Sequence, residues 1–431
     1  MTLRDEVTGL LQELIRVDTT NPPGNETAAA ELLRDYLEPN GVRCELIART
    51  PDRANLVARI PGKGDGPGLL LLSHTDVVLA DPEGWEVPPF SGELRDGMVW
   101  GRGALDMKDQ VAASAVAIAS LAREGFEPRG DLIFAATADE EVGVDVGLSW
   151  LCREHPESVR SEYAINEGSG ERVELGGRAF YMCTTAEKAT APFRVRVHGR
   201  AGHAAMPAIA DNALIKAAPL IERIGAVRPE PRLQPEVEAF LAAVLGEVPS
   251  AEEALARARE VDALAAELVE PLLAATFSPT EIRASEQRNV IPALCEVTVD
   301  CRLLPGQPRE EVERLLAPAL ADADGAAEIE WLRGDGGTRS PLDTPLWAAV
   351  ASFVERAEPG ARAVPMCCAG FTDSHWLRAT FGTVAYGFFP TRGLTIDETA
   401  RIVHSANERV PVDDLELGLD FLRHAAQAVC G

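Results

Sequence analysis

The sequence predicts a mixed α/β fold: a mostly parallel sheet flanked by helices, interrupted by an inserted α+β lid. Three observations carry this expectation. LLLLSHTDVV, residues 69–78, is a continuous apolar run ending in polar residues, as in a strand buried on both faces. Strand and helix patterns alternate around it, which is the order of a sheet covered by helices on both sides. From about residue 189 the pattern changes to strict alternation, FRVRVHGR, and the strand–helix order returns after about residue 336. A chain of 431 residues, at about 150 per domain, has room for such a division. The expected boundaries are 1–188, 189–335 and 336–431, the first and last forming one domain.

The elements follow in order. Leu3, Val7, Leu10, Leu11, Leu14 and Ile15 recur at helical spacing and form one buried face. NPPGNET is a loop, and AAAELLRDYLEPNG is a second helix closed by Asn40-Gly41. CELIAR and NLVARIPG are short strands. GKGDGPG precedes a strand and lacks the Lys-Ser/Thr ending of a phosphate loop, so it reads as a hairpin turn. QVAASAVAIASLAREG is a helix, DLIFAATADEE a strand, VGLSWLCREH a helix and YAINEG a strand end. In the insert, FRVRVHGR, NALIKAAPLIERIG, FSPTEIRAS, CEVTVDCRLL, REEVERLLAPAL and AEIEWLRG give the order β-α-β-β-α-β, a ferredoxin-like unit. Residues 229–275 interrupt it with a Pro-rich stretch and an Ala/Glu-rich helical segment. LWAAVASFVERA and TVAYGFF then resume the first pattern.

Composition narrows the function. Acidic residues number 68 against 41 basic, a net charge of −27, which opposes binding to nucleic acid or anionic lipid. No run of about 18 apolar residues suggests a membrane span, and the N-terminus lacks the layout of a signal peptide. The eight cysteines form no CxxC pair, and Cys295 and Cys301 share one face of a strand, as core residues do. A cytoplasmic protein with reduced thiols is expected.

The polar residues at strand ends could carry chemistry. His74 and Asp76 are either an exposed pair or an imidazole backed by a carboxylate. Asp106, in GRGALDMKDQ, is either a helix N-cap or a ligand. Glu140 and Glu141 point apart into water, unless a cation binds one while the other accepts a proton. Glu167 ends another strand, and His404 follows a turn in IVHSANERVPVDD. Together, two His and three carboxylates suit a pair of zinc-like ions bridged by a carboxylate, each arriving on a successive strand–helix unit.

The motifs SHTDVV, GRGALDMKD, ADEEVG, NEG, GRAGHAAMP, RNVIP, FTDSHWLR and VHSANERVPVDDL resemble those of the co-catalytic zinc hydrolases over essentially the whole chain. That family includes aminoacylases, acetylornithine deacetylases, succinyl-diaminopimelate desuccinylases and glutamate carboxypeptidases. The resemblance implies a zinc-exopeptidase-like fold with a lid that also serves dimerisation. It implies two Zn2+ per subunit, replaceable by Co2+ or Mn2+: one held by His74, Asp106 and Glu167, the other by Asp106, Glu141 and His404. Glu140 would be the general base, Asp76 the carboxylate behind His74, and His203 an oxyanion-side residue of the insert, with Asn289 reaching the substrate. A cis Asp106–Met107 peptide is also implied.

The expected activity is cleavage of an amide bond in a small substrate, an N-acyl amino acid or short peptide. EKATAPFRVRVHG resembles the carboxypeptidase S and N-acyl amino-acid hydrolase branch. A biosynthetic deacetylase or desuccinylase is the alternative, and a non-catalytic metal-dependent binding protein a remote one. Arg288, Arg378 and Arg392 are candidates for a substrate carboxylate, since guanidinium pairs with it bidentately. His375 either lines the pocket or packs beside Trp376. The resemblance implies a homodimer with His203 borrowed from the partner, and residues 229–275 are too short and too helical to hold a second lid-like copy within the chain.

Overall fold

The computed structural model describes residues 2–321 and 327–431. They fall into two compact units. One is Met1–Thr185 with Ser340–Met366 and Thr372–Gly431; the other is Ala186–Arg339 with Cys367–Phe371.

The first unit is built on a nine-stranded sheet among the described residues. Its order is Arg43–Ala48, Ala54–Ile60, Leu132–Thr137, Leu69–His74, Tyr163–Asn166, Val384–Gly387, Arg178–Glu187 and Arg362–Cys368, with Arg172–Leu175 pairing Arg178–Glu187 off this path. The four central strands, Leu132–Thr137 to Val384–Gly387, run parallel. Antiparallel pairs flank them. Central strands are covered on both faces and must be apolar throughout. Leu69–His74 and Leu132–Thr137 are buried at every position.

Helices cover both faces. Leu3–Arg16 starts with a reciprocal cap between Thr2 and Asp5 and buries Val7, Leu10, Leu11, Leu14 and Ile15. Lys108–Arg123 is buried from Lys108 to Leu121, and its alanines let neighbours approach on every side. Leu3–Arg16 and Val412–Cys430 pack against it in one core. On the other face, Leu148, Trp150, Leu151 and Leu377 form a second core with Leu70, Leu72 and Ile133.

One expectation is corrected here. GKGDGPG is not a hairpin turn, because Ala54–Ile60 and Leu69–His74 do not pair; Leu132–Thr137 lies between them, antiparallel to one and parallel to the other. The glycines serve a close approach instead. Lys63 and Gly64 donate to the Pro128 and Arg129 carbonyls, and a Cβ on Gly62 would lie 2.3 Å from the Gly130 backbone.

The second unit carries an antiparallel sheet in the order Ala327–Trp331, Phe193–His198, Leu294–Leu303, Thr276–Arg283. In chain order this is four, one, three, two, the ferredoxin-like arrangement. Ala213–Gly225 and Arg309–Leu320 bury Leu220, Ile224, Val312 and Leu316 against it, and Cys295 and Cys301 lie in the same core. Pro279 is accommodated in the outer strand Thr276–Arg283, where the register shifts between Pro279 and Glu281. Between the first two strands lie the helices Pro235–Leu245, Ala251–Val261 and Ala263–Val269. No helix among the described residues is long and apolar enough to cross a membrane.

Candidate metal centre

Parallel pairing brings the polar residues to one sheet edge. His74 is opposite Thr137, and Leu71 on the same strand is opposite Ile165, so the segments that follow Thr137 and Asn166 leave the sheet at the same end as His74. Glu140 and Glu141 lie on the first of these segments and Glu167 on the second. Functional groups of open α/β sheets gather at such strand ends.

Two triads form there. His74, Asp106 and Glu167 bring one ligand atom each within 4.8 Å of one another, and so do Asp106, Glu141 and His404. His74 Nε2 is 3.0 Å from Asp106 Oδ1 and 3.5 Å from Glu167 Oε2. His404 Nε2 is 3.0 Å from Asp106 Oδ2 and 3.4 Å from Glu141 Oε1. Asp106 thus offers one carboxylate oxygen to each triad. The Asp106–Met107 peptide is cis. Asp106 is not the cap of the following helix; Met107 holds that position and the helix starts at Lys108.

The donor set fits divalent cations. His74 Nδ1 lies 3.0 Å from the Asp76 carbonyl, and donating there leaves Nε2 free as a ligand. Glu141 Oε1 is buried and receives no hydrogen bond, an arrangement a cation relieves. With protein groups alone, the neighbouring carboxylates of Asp106 and Glu141 push the His404 imidazole up to about 10. His74 is raised well above its ordinary value although burial opposes it, because Glu167, Asp106 and Asp76 surround it. Cations and protons compete for such atoms.

Asp76 lies behind His74, and its carboxylate has further partners. Its carboxylate stands 3.6 Å from His74 Nδ1, and its backbone carbonyl is the closer acceptor. The carboxylate oxygens each accept a backbone N–H at 3.1 Å, from Glu140 and from Glu141, and Asn21 donates at 2.9 Å. Burial alone would raise Asp76, but His74, Asn21 and the Glu141 amide hold it below the usual carboxylate range. It therefore orients both glutamates. Burial, reinforced by the charge of Glu167, pushes the Glu140 carboxyl well above that range.

The remaining candidates belong to both units. Arg378 is buried and donates to Ser340 Oγ at 3.0 Å and to the Ala385 carbonyl at 2.5 Å, so its guanidinium is spent inside the first unit. Arg392 is exposed. His375 stacks edge-on against Trp376 at 5.0 Å, the packing alternative. In the second unit, Gly202–His203 pairs with Val290–Ile291, and Ala204 donates to the Asn289 carbonyl, so the GRAGHAAMP and RNVIP motifs meet. His203, Arg288 and Asn289 are exposed. A cavity of about 200 Å³ opens beside Asp106 and Glu167, lined further by Phe389, Leu394, Val403 and Asp414.

Sequence reasoning missed three supports. Arg53 pairs with both oxygens of buried Glu26 at 2.5 and 2.7 Å and reaches Asp139 at 3.4 Å, steadying the turn before Glu140. Asp373 is buried, and burial pushes its carboxyl up to about 8. Glu408 accepts hydrogen bonds from the Asp106 loop.

Comparisons with known proteins agree on the family. The model of peptidase family M20/M25/M40 matches residues 70–428. A succinyl-diaminopimelate desuccinylase of Delftia acidovorans is 37% identical over 228 residues, 51% of this chain and 57% of that protein. An N-fatty-acyl-amino acid synthase/hydrolase of Xenopus tropicalis is 28% identical over 82% of this chain and 70% of its own. The M20 metallo-carboxypeptidase Sso-CP2 of Sulfolobus solfataricus superposes with a TM-score of 0.75 at 19% identity, covering 99% of both chains.

Proposed function

The chain belongs to peptidase family M20/M25/M40, and from that premise we propose that it hydrolyses the amide bond of an N-acyl amino acid or short peptide. The observation that carries this reading is the pair of ligand triads sharing Asp106, with Glu140 beside them. His74, Asp106 and Glu167 would hold one cation, and Asp106, Glu141 and His404 the other. Zinc suits the mixed imidazole and carboxylate donors, with cobalt or manganese able to replace it. When bound, such cations acidify water and polarise a carbonyl.

The chain's own residues do the rest. Glu140 takes a proton from the attacking water and returns it to the departing nitrogen, a task suited to a carboxyl whose proton affinity burial has raised. Asp76 keeps Glu140 and Glu141 in register by holding both backbone amides. His203 Nδ1 accepts the Ala205 N–H at 3.1 Å, which leaves the proton of the neutral ring on Nε2. His203 is then a donor suited to a tetrahedral oxyanion. Asn289 reaches the substrate from the same ladder, and Arg288 or Arg392 pairs its carboxylate. Arg378 is set aside, because its donors are engaged internally.

The enzyme works as a homodimer in which each second unit lends His203 to its partner's centre, and it resides in the cytoplasm. A deacetylase or desuccinylase is the second reading, favoured by the desuccinylase relative. A non-catalytic binding protein is disfavoured by the presence of Glu140 and all five ligands. A mass-spectrometric screen of N-acyl amino acids, dipeptides, acetylornithine and succinyl-diaminopimelate separates them. Fastest turnover on acyl amino acids or dipeptides supports the first reading, and turnover confined to the last two supports the second.

A further inference from the structure

Glu408 is fully buried and lies about 300 residues from the loop it serves. Its Oε1 accepts the backbone N–H of Leu105 at 2.8 Å and of Asp106 at 3.1 Å. Its Oε2 pairs at 2.5 Å with Arg102, itself buried and set over the Trp85 ring at 5.5 Å. The Glu408 carbonyl accepts the Gly101 N–H at 2.9 Å. Beyond it, Arg409–Pro411 pairs in register with Met98–Trp100. Glu408 is thus tied by side chain and backbone to the segment that delivers Asp106.

Glu408 is also joined to the other ligand. His404 is four residues upstream, in a turn where His404 and Asn407 have φ of 58° and 65°. Non-glycine residues adopt that region at a cost and keep it only when their surroundings impose it. Asn407 is held by the Glu86 N–H, and the chain then enters Glu408.

We propose that Glu408 is the positioning residue of the second cation site: one carboxylate fixes Asp106 against the turn that presents His404. The inference rests on the two-cation reading above and assigns a task within it. The first triad shares Asp106 but keeps two ligands, His74 and Glu167, placed by adjacent parallel strands, so it loses less when the Asp106 loop moves. Loss of Glu408 frees two backbone donors and Arg102 and lets the Asp106 loop and His404 turn drift apart.

Zinc chloride titration by calorimetry into the chelator-stripped protein tests this. Wild type should take up two ions. Glu408→Ala and Glu408→Gln should keep the first with affinity within about threefold, and bind the second about 10- to 100-fold more weakly, the usual cost of an outer-shell loss. Circular dichroism of the stripped proteins confirms the fold. If Glu408→Ala does not fold, the near-isosteric Glu408→Gln carries the test. A folded variant with wild-type affinity for the second ion, or with both ions weakened equally, overturns the assignment alone. A wild type that binds no zinc overturns the proposed function with it.

Discussion

Glu140 and Glu141 are adjacent in sequence, and the proposed difference in task rests on Asp76 fixing their backbones while their carboxyls meet different neighbours. Glu141 faces His404, whereas Glu140 is desolvated near Glu167. Glu140→Ala should therefore retain two metal equivalents and lose at least about 10³-fold in turnover, near the middle of the range for acid–base groups. Glu141→Ala should lose metal first, read by plasma mass spectrometry beside the assay; the reverse pattern would mean the pair is assigned backwards. Lys188, in the second unit, permits a test of its own. Its ammonium donates to the Pro271 and Ala274 carbonyls, and burial lowers its pKa from 10.5 to about 8. The folded state therefore holds that proton less tightly than the unfolded chain. Above pH 10.5 neither carries it; as pH falls towards 8 the unfolded chain gains it first and stability drops; below 8 the penalty is constant, at most about 3 kcal/mol. Urea denaturation should show wild type gaining stability relative to Lys188→Met between about pH 8 and pH 10.5. A flat difference would mean that the charge is not desolvated.

At the scale of elements, His74, Glu141 and Glu167 were legible as candidate ligands because each lies at or just beyond the end of an apolar strand, whereas Asp106 and His404 lie in turns outside any strand. The parallel centre of the sheet was readable from the apolar run LLLLSHTDVV. What was not legible depends on distant partners. GKGDGPG reads as a hairpin only if the flanking strands pair, and nothing local announces that Leu132–Thr137 comes between them. Arg378 looks like any surface guanidinium until Ser340 and the Ala385 carbonyl are seen to use it. Glu408 acts on backbone amides, which carry no signature in sequence. Lys108–Arg123 gives the element-scale prediction. Ala115 has no exposed surface among close helices, so Ala115→Leu should overpack the core and cost about 1–3 kcal/mol, measured by chemical denaturation. A cost below about 0.5 kcal/mol would show slack packing there.

At the scale of the molecule, the proposed dimer makes His203 and Glu140 of one site come from different chains. Mixing His203→Ala with Glu140→Ala subunits, each nearly inactive, should restore part of the activity, because one hybrid site keeps both residues. Verified mixed dimers with no recovery, while each parent stays folded and metal-loaded, would refute the sharing. The central claim, an amide hydrolase that works with two cations, is tested most directly by turnover against zinc equivalents. Chelator-stripped protein is titrated while release from the best substrate of the screen is followed by mass spectrometry. Release should be absent without metal and should reach its plateau as both sites fill. Full turnover with metal content confirmed as nil, or no release from any substrate with two zinc ions bound, would contradict the account.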